Sequence, residues 1–128
     1  MTIPNGGAHH IGLSKVEKYA ADVPAYRVLV MNGVSGEVEE ATAPSQLAYG
    51  VSFELGGEAG QFCDVVLEGI VPLTATAAIA PGAQVAIADG GIATAATGNY
   101  VVGIARGTAA QAGENIPVLL KLGGIVAA

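Results

Sequence analysis

Residues 47–51 read LAYGV, and after a short interval residues 59–67 read AGQFCDVVL; both stretches recur later in related form. Residues 100–104 (YVVGI) match the first stretch, and residues 112–120 (AGENIPVLL) match the second. In both cases the second copy lies 53 residues after the first (103 − 50 and 113 − 60). Two half-domains that derive from one ancestral unit are the simplest explanation.

Side-chain facing tests this repeat, because residues two apart in a strand share a face. Cys63, Val65 and Leu67 share one face, and the positions 53 residues later (116, 118 and 120) are also apolar. We therefore expect this face to be core, with Cys63 buried and unreactive. The opposite face, which includes Val66, is half polar and is expected to meet solvent or a neighbour.

The repeat extends upstream, where residues 28–33 (VLVMNG) match residues 85–90 (VAIADG). Asn-Gly and Asp-Gly after an apolar run predict hairpins, because a type I′ turn needs positive φ at both central residues. The predicted repeat units are residues 26–72 and 83–122, within a β domain that spans 25–128. The strands are expected at 26–31, 37–40, 48–53, 62–71, 83–88, 92–95, 100–106 and 115–122.

Composition favours one all-β domain. A chain of 128 residues suits a single domain with a modest core. Nineteen Gly and six Pro leave segments too short for long helices, and Val and Ile are concentrated in short runs. We predict a small, compact domain of β-barrel or sandwich type, built from two similar halves. Apolar residues make up 52% of the chain but aromatics only 5%, so the core is thin and stability is expected to depend on partner chains.

Charge and hydropathy exclude several classes of protein. The net charge is −6, and the five basic residues form no basic stripe, so direct nucleic-acid binding is not expected. No apolar run reaches the ~18–20 residues of a membrane span, and the N-terminus lacks the pattern of a signal peptide. A soluble, unsecreted protein with no membrane partner is expected. A single cysteine allows no disulfide within the chain.

Residues 1–24 lie outside the predicted repeat, and their first ten residues, MTIPNGGAHH, are rich in turn formers. We interpret them as an extended N-terminal arm that a partner holds in place. Residues 14–20 (SKVEKYA) fit either a short strand or one helical turn, with Ser14 as N-cap and Glu17 as its capping-box partner.

No set of residues in the chain fits catalysis, a metal or a cofactor. His9 and His10 are adjacent, so in an extended segment they point to opposite sides, and no further ligand follows at suitable spacing. Cys63 pairs with no convincing base. Asp64 and Glu68 lie roughly 13 Å apart along a strand, farther than a glycosidase pair requires. The Gly-rich segments lack the Lys and the strand-to-helix context of a phosphate loop. We predict that the protein is not an enzyme and carries no cofactor.

The order of signals over residues 26–122 resembles that of the tailed-phage capsid cement proteins, also called head decoration proteins. The resemblance is carried by the Gly50-Val51 and Gly103-Ile104 strands, by residues 67–72 (LEGIVP), by the re-entry at residues 80–85 (APGAQV), and by residues 118–120 (VLL). It covers about three quarters of the chain, and none of its motifs is catalytic.

This resemblance implies a β-tulip-type decoration fold that trimerises on the outer surface of an expanded capsid. The protein would be made in the host cytoplasm and become part of the virion, with the major capsid protein and two copies of itself as partners. The arm would become ordered against the capsid. The candidate contact residues in the arm are Ile3, Pro4, His9, His10, Ile11, Lys15, Val16, Lys18 and Tyr19.

A surface-displayed adhesion or carbohydrate-binding module of the virion is the alternative. Such a module stacks sugars on an aromatic platform. The two Phe and four Tyr are scattered along the chain, so the sequence favours the cement function.

Overall fold

The computed structural model describes residues 10–123 and 125–128, and the regular structure within them consists of β-strands alone. This confirms the all-β prediction. The strands are β1 (His10–Lys18), β2 (Val28–Met31), β3 (Val38–Glu40), β4 (Gly50–Ser52), β5 (Phe62–Thr74), β6 (Gln84–Ala88), β7 (Gly91–Thr94), β8 (Gly103–Ala105) and β9 (Asn115–Leu120).

All strand pairs are antiparallel, and the strands follow the order β3-β2-β4-β5-β9-β8-β6-β7, with β1 paired to β5. Val65 of β5 pairs with both β1 and β4, so these two strands lie on opposite edges of β5. Ile70 pairs with both β1 and β9, so β9 also lies opposite β1. Within the described residues, the outer edge of β1 therefore has no strand paired to it before Tyr19, where the chain meets β3.

Each half of the sheet is closed by a parallel bridge. Tyr19, directly after β1, bridges Val38 of β3, and Ala75, directly after β5, bridges Ile92 of β7. Strands β1, β5, β4, β2 and β3 thus form a closed circuit, here called the first ring. Strands β5, β9, β8, β6 and β7 form the second ring. Strand β5 belongs to both rings.

In each ring, a backbone hydrogen bond joins the residue that follows the ring's first strand in the chain to a glycine shortly before its last strand. The Gly60 amide donates to the Tyr19 carbonyl, and the Gly113 amide donates to the Ala75 carbonyl, both at 2.8 Å. Tyr19 therefore occupies the place in the first ring that Ala75 occupies in the second. The repeat boundaries remain a prediction, but these bonds join residues assigned to the arm to the body of the fold.

Two equivalent glycines allow close approach between neighbouring strands. A Cβ at Gly50 would lie 2.3 Å from Cγ1 of Val65, and a Cβ at Gly103 would lie 2.8 Å from Cγ1 of Val118. Real Cβ atoms do not approach other atoms this closely, so a side chain at either position requires a shift of the strands. The recurring Gly in LAYGV and YVVGI thus has a packing cause.

The buried side chains form two apolar clusters. The larger cluster draws on both rings and includes Val66 and Val71 of β5 with Val118 of β9. The smaller cluster consists of first-ring residues only. Its buried members are Tyr19, Val23, Leu29, Val38 and Val65.

The predicted facing of β5 is wrong in one respect. Val65 packs in the smaller cluster and not with Val118, whereas Val66, expected on a half-polar face, is buried in the larger cluster. Strand β5 is covered on both faces at Val65 and Val66, because apolar side chains pack on both sides of the strand there. Its alternation changes near Gly69, which has φ 129°, where the register with β1 is also irregular.

Neither predicted hairpin has a type I′ turn. Tyr26 is the only non-glycine residue with positive φ among the described residues, so Asn32 and Asp89 both have negative φ. The Asn32 side chain instead accepts hydrogen bonds from two amides of its own loop, at 2.9 and 3.0 Å, and Gly36 has φ 74°. A side-chain-capped loop replaces the tight turn here.

Candidate functional site

The predicted contact residues that the structure describes lie mainly on β1. Ile3, Pro4 and His9 fall outside the described residues. The backbone of His10 begins β1 and pairs with Ile70. The sequence allowed either a strand or a helical turn for residues 14–20, and the structure has a strand that ends at Lys18. The exposed candidates on this strand are Ile11, Lys15, Val16 and Lys18.

Tyr19 does not belong to this exposed set, so its assignment as a contact residue is corrected. Its side chain is fully buried in the first ring, and its hydroxyl donates to the Asp64 carbonyl at 2.9 Å. Burial raises the pKa of this phenol above its ordinary value. The sequence pattern missed this placement because ring closure joins Tyr19 to residues far along the chain.

Apolar side chains remain exposed along β1. Ile11 is 42% exposed, Leu13 48% and Val16 50%. Sequence reasoning missed Leu13, because the register between β1 and β5 is irregular on both sides of this residue and simple alternation does not apply there. Together with the unpaired edge of β1, these side chains form a surface suited to a partner, here called the β1 surface.

Glu17 fastens β1 to the rest of the first ring. Its carboxylate accepts hydrogen bonds from the Tyr49 hydroxyl and from the Lys15 ammonium group, the latter at 3.1 Å. The Tyr49 hydrogen bond is the main reason that the pKa of Glu17 is lowered, and it raises the pKa of Tyr49 to about 12. Lys18 adds an ion pair to Glu37, at 3.4 Å, in the loop between β2 and β3.

A groove of about 320 Å³ opens beside the start of β5, lined by residues 53–56 and 62–64. Phe62 is 70% exposed there and Leu55 97% exposed, and the acidic side chains of Glu54 and Asp64 lie among the lining residues. Cys63 also lines this groove and is half-buried, so the expectation of full burial is wrong. Cys63 packs against the smaller cluster but lies at its edge, so the side chain is only partly buried.

Aromatic side chains meet at the groove although they are distant in sequence. The ring of Tyr26 packs edge-on against Phe53, with centroids 6.0 Å apart and an interplanar angle of 78°. Phe53 lines the groove together with Phe62. The aromatics are therefore less scattered than the sequence suggests, since Tyr26 contacts Phe53 and Phe53 lines the same groove as Phe62.

The part of the chain that the structure describes contains no group of three or more His, Cys, Asp or Glu side chains arranged to hold a metal ion. Over the same residues, no helix is long and apolar enough to cross a membrane.

Comparison with known proteins gives two findings. A family model described as "Phage cement protein" matches residues 9–121. The chain is also similar to the crystal structure of the head fiber gp8.5 N base of bacteriophage phi29, with a TM-score of 0.67 and 20% sequence identity, over 85% of this chain and 93% of that chain. At this identity the likeness shows the fold. A search of curated proteins finds no match.

Proposed function

Because the chain belongs to the phage cement protein family, we propose that it binds an expanded phage capsid as a homotrimer and stabilises the shell. The protein is a structural component of the virion and lies on the outer surface of the capsid.

The β1 surface is the part of the molecule that we assign to the major capsid protein. Its support is the combination of an open strand edge with the exposed side chains of Ile11, Leu13 and Val16. An exposed apolar edge strand favours association, and native proteins usually cover or charge such an edge. The contact we propose is therefore mainly apolar and backbone-mediated. Lys15 and Lys18 already have acidic partners within the chain and contribute less.

Weak binding at each site is enough for this function. A ligand that binds only one state of a lattice stabilises that state by RT ln(1 + [L]/Kd), about 2.7 kcal/mol per site at a hundredfold excess over Kd. This stabilisation applies at every site on the shell, so the protein needs neither an active site nor unusual affinity.

The test mixes purified protein with undecorated capsids and measures occupancy by particle imaging. We expect threefold protrusions with the wild-type protein and at least about a tenfold loss of affinity when Ile11, Leu13 and Val16 are all changed to Ser, because the apolar contact is lost. The matched control changes Val34 and Leu47, which are 100% and 56% exposed, to Ser. Undiminished occupancy by the β1 variant would exclude β1 as the contact.

One observation favours the alternative of an adhesion or carbohydrate-binding module, namely the exposed Phe62 in the groove. A stacking platform needs a second exposed aromatic face, and Phe53 instead packs against Tyr26. Binding of labelled polysaccharide by the wild-type protein, lost in Phe62→Ala, would support this function over cementing.

A further inference from the structure

The ionisable residues are divided unequally between the two halves of the chain. Residues 1–74 contain three of the five basic residues and nine of the eleven acidic ones, which gives 3 − 9 = −6. The remaining residues contain two of each, which gives 2 − 2 = 0. The entire net charge therefore belongs to the half of the chain that carries the groove. The nine acidic residues are Glu17, Asp22, Glu37, Glu39, Glu40, Glu54, Glu58, Asp64 and Glu68.

At the place in the second ring that corresponds to the groove, a glycine and a proline pack together. At the offset of 53 residues, Glu54 corresponds to Gly107 and Asp64 corresponds to Pro117. A Cβ at Gly107 would lie 2.9 Å from Cδ of Pro117, so the proline ring packs directly on this glycine. In the second ring, Gly107 and Pro117 thus fill the space that the groove occupies in the first ring. The fold therefore does not require an open groove at this position.

Two cations of the second ring form no ion pair with another described residue. Lys15, Lys18 and Arg27 form ion pairs with acidic side chains of the first ring. Arg106 and Lys121 are exposed and have no ion pair within the described residues. Arg106 corresponds at the same offset to Phe53 of the groove, and its amide is bonded to the Pro117 carbonyl at 2.8 Å. It therefore stands beside the closed counterpart of the groove.

We propose that the groove of one copy receives the Arg106 surface of a second copy, so that the subunits of the trimer join head to tail. This inference rests on the homotrimer of the proposed function. A guanidinium group fits the groove chemically, because it stacks on an aromatic face such as Phe62 and pairs with a carboxylate such as Asp64. Contacts between two different surfaces form a closed ring when the rotation between copies permits it. The arrangement also brings the acidic half of each copy against the neutral half of the next.

A charge swap tests the contact through the oligomeric state, measured by sedimentation over a range of concentrations. We expect Arg106→Glu to raise the dissociation constant of the trimer by about tenfold or more, because it places an acid in an acidic groove. Adding Asp64→Arg to this variant should restore much of the affinity. Lys121→Glu is the matched control, since it changes the net charge equally at the other unpaired cation, and it should have a smaller effect.

Cys63 provides a second test, because it is the only cysteine of the chain and lines the groove. Thr108→Cys introduces a thiol on the exposed surface beside Arg106. Under mild oxidation, a head-to-tail trimer should give disulfide-linked dimers and trimers on a non-reducing gel. The control is Val34→Cys in the loop between β2 and β3, and it should give no linked species beyond a dimer.

The outcomes separate this inference from the proposed function. A trimer that is unaffected by Arg106→Glu and gives no linked trimers with Thr108→Cys overturns the head-to-tail contact and leaves the trimer in place. A protein that is monomeric both in solution and on capsids overturns both. If Asp64→Arg leaves the trimer intact but reduces capsid occupancy, the occupant of the groove is a basic segment of the capsid protein, and the inference is wrong.

Discussion

The buried ring of Tyr19 packs directly against Gly57, and this contact leaves no room for a side chain at position 57. A Cβ at Gly57 would lie 2.2 Å from both Cδ2 and Cε2 of the fully buried Tyr19 ring. That ring cannot easily turn away, because its hydroxyl is bonded to the Asp64 carbonyl. We expect Gly57→Ala to lower the free energy of unfolding by about 1–3 kcal/mol, measured by urea denaturation. Gly33→Ala, which meets no atom within 4 Å, is the control and should change stability by less than about 0.5 kcal/mol.

The hydrogen bond from Tyr49 to Glu17 should make stability depend on pH. The pKa of Glu17 is lowered from its ordinary 4.5, so the stabilisation is complete above pH 4.5 and is lost as the pH falls through the folded value. We expect Tyr49→Phe to cost about 1 kcal/mol at pH 7, with the difference from wild type shrinking as the pH falls below 4.5 and through the lowered pKa of Glu17. Denaturation at several pH values measures this. A difference that stays constant as the pH falls would show that Tyr49 acts through packing alone.

At the scale of elements, β1 forms an integral wall of the first ring. The amides of Tyr19, Ala20 and Gly60 all take part in the bonds that close it. We expect these amides to exchange with solvent at least roughly a hundredfold more slowly than the amide of Leu55 in its exposed loop, because exchange requires the ring to open. Hydrogen exchange followed by NMR measures the rates. If Tyr19 and Ala20 exchange as fast as Leu55, residues up to 24 behave as the free arm that the sequence suggests.

The sequence predicts the elements better than their connections. The positions of β2 to β9 and the recurring Gly50 and Gly103 follow from local patterns of apolar residues and glycine, whereas residues 14–20 fit a strand or a helical turn and left β1 undecided. Ring closure depends on the backbone bonds of Ala20 with Val38 and of Tyr19 with Gln61, and backbone bonds leave little trace in side-chain identity. For the same reason the groove, which the turn after β4 and the start of β5 build together, is not visible as a motif.

At the scale of the whole molecule, the core is made of small side chains and the charge is concentrated in one half. Most buried apolar residues of the described part are Val or Ala, and residues 1–74 carry the net charge of −6. Both features limit the stability of a lone copy, and association offsets them. We therefore expect the melting temperature to rise by several degrees over a hundredfold increase in protein concentration, measured by calorimetry. A melting temperature that does not change with concentration would contradict a stabilising homotrimer.

The position of β5 between the two rings determines how the subunit responds to a pulling force. It pairs with β1 along one edge and with β4 and β9 along the other, so both rings share one continuous wall of thirteen residues. A pull that enters the molecule through β1 passes into β5 and from there into both rings. Neither ring can yield alone, since opening either one disturbs the strand that supports the other. The subunit is therefore expected to bear tension as a single unit, breaking in one event at a high force.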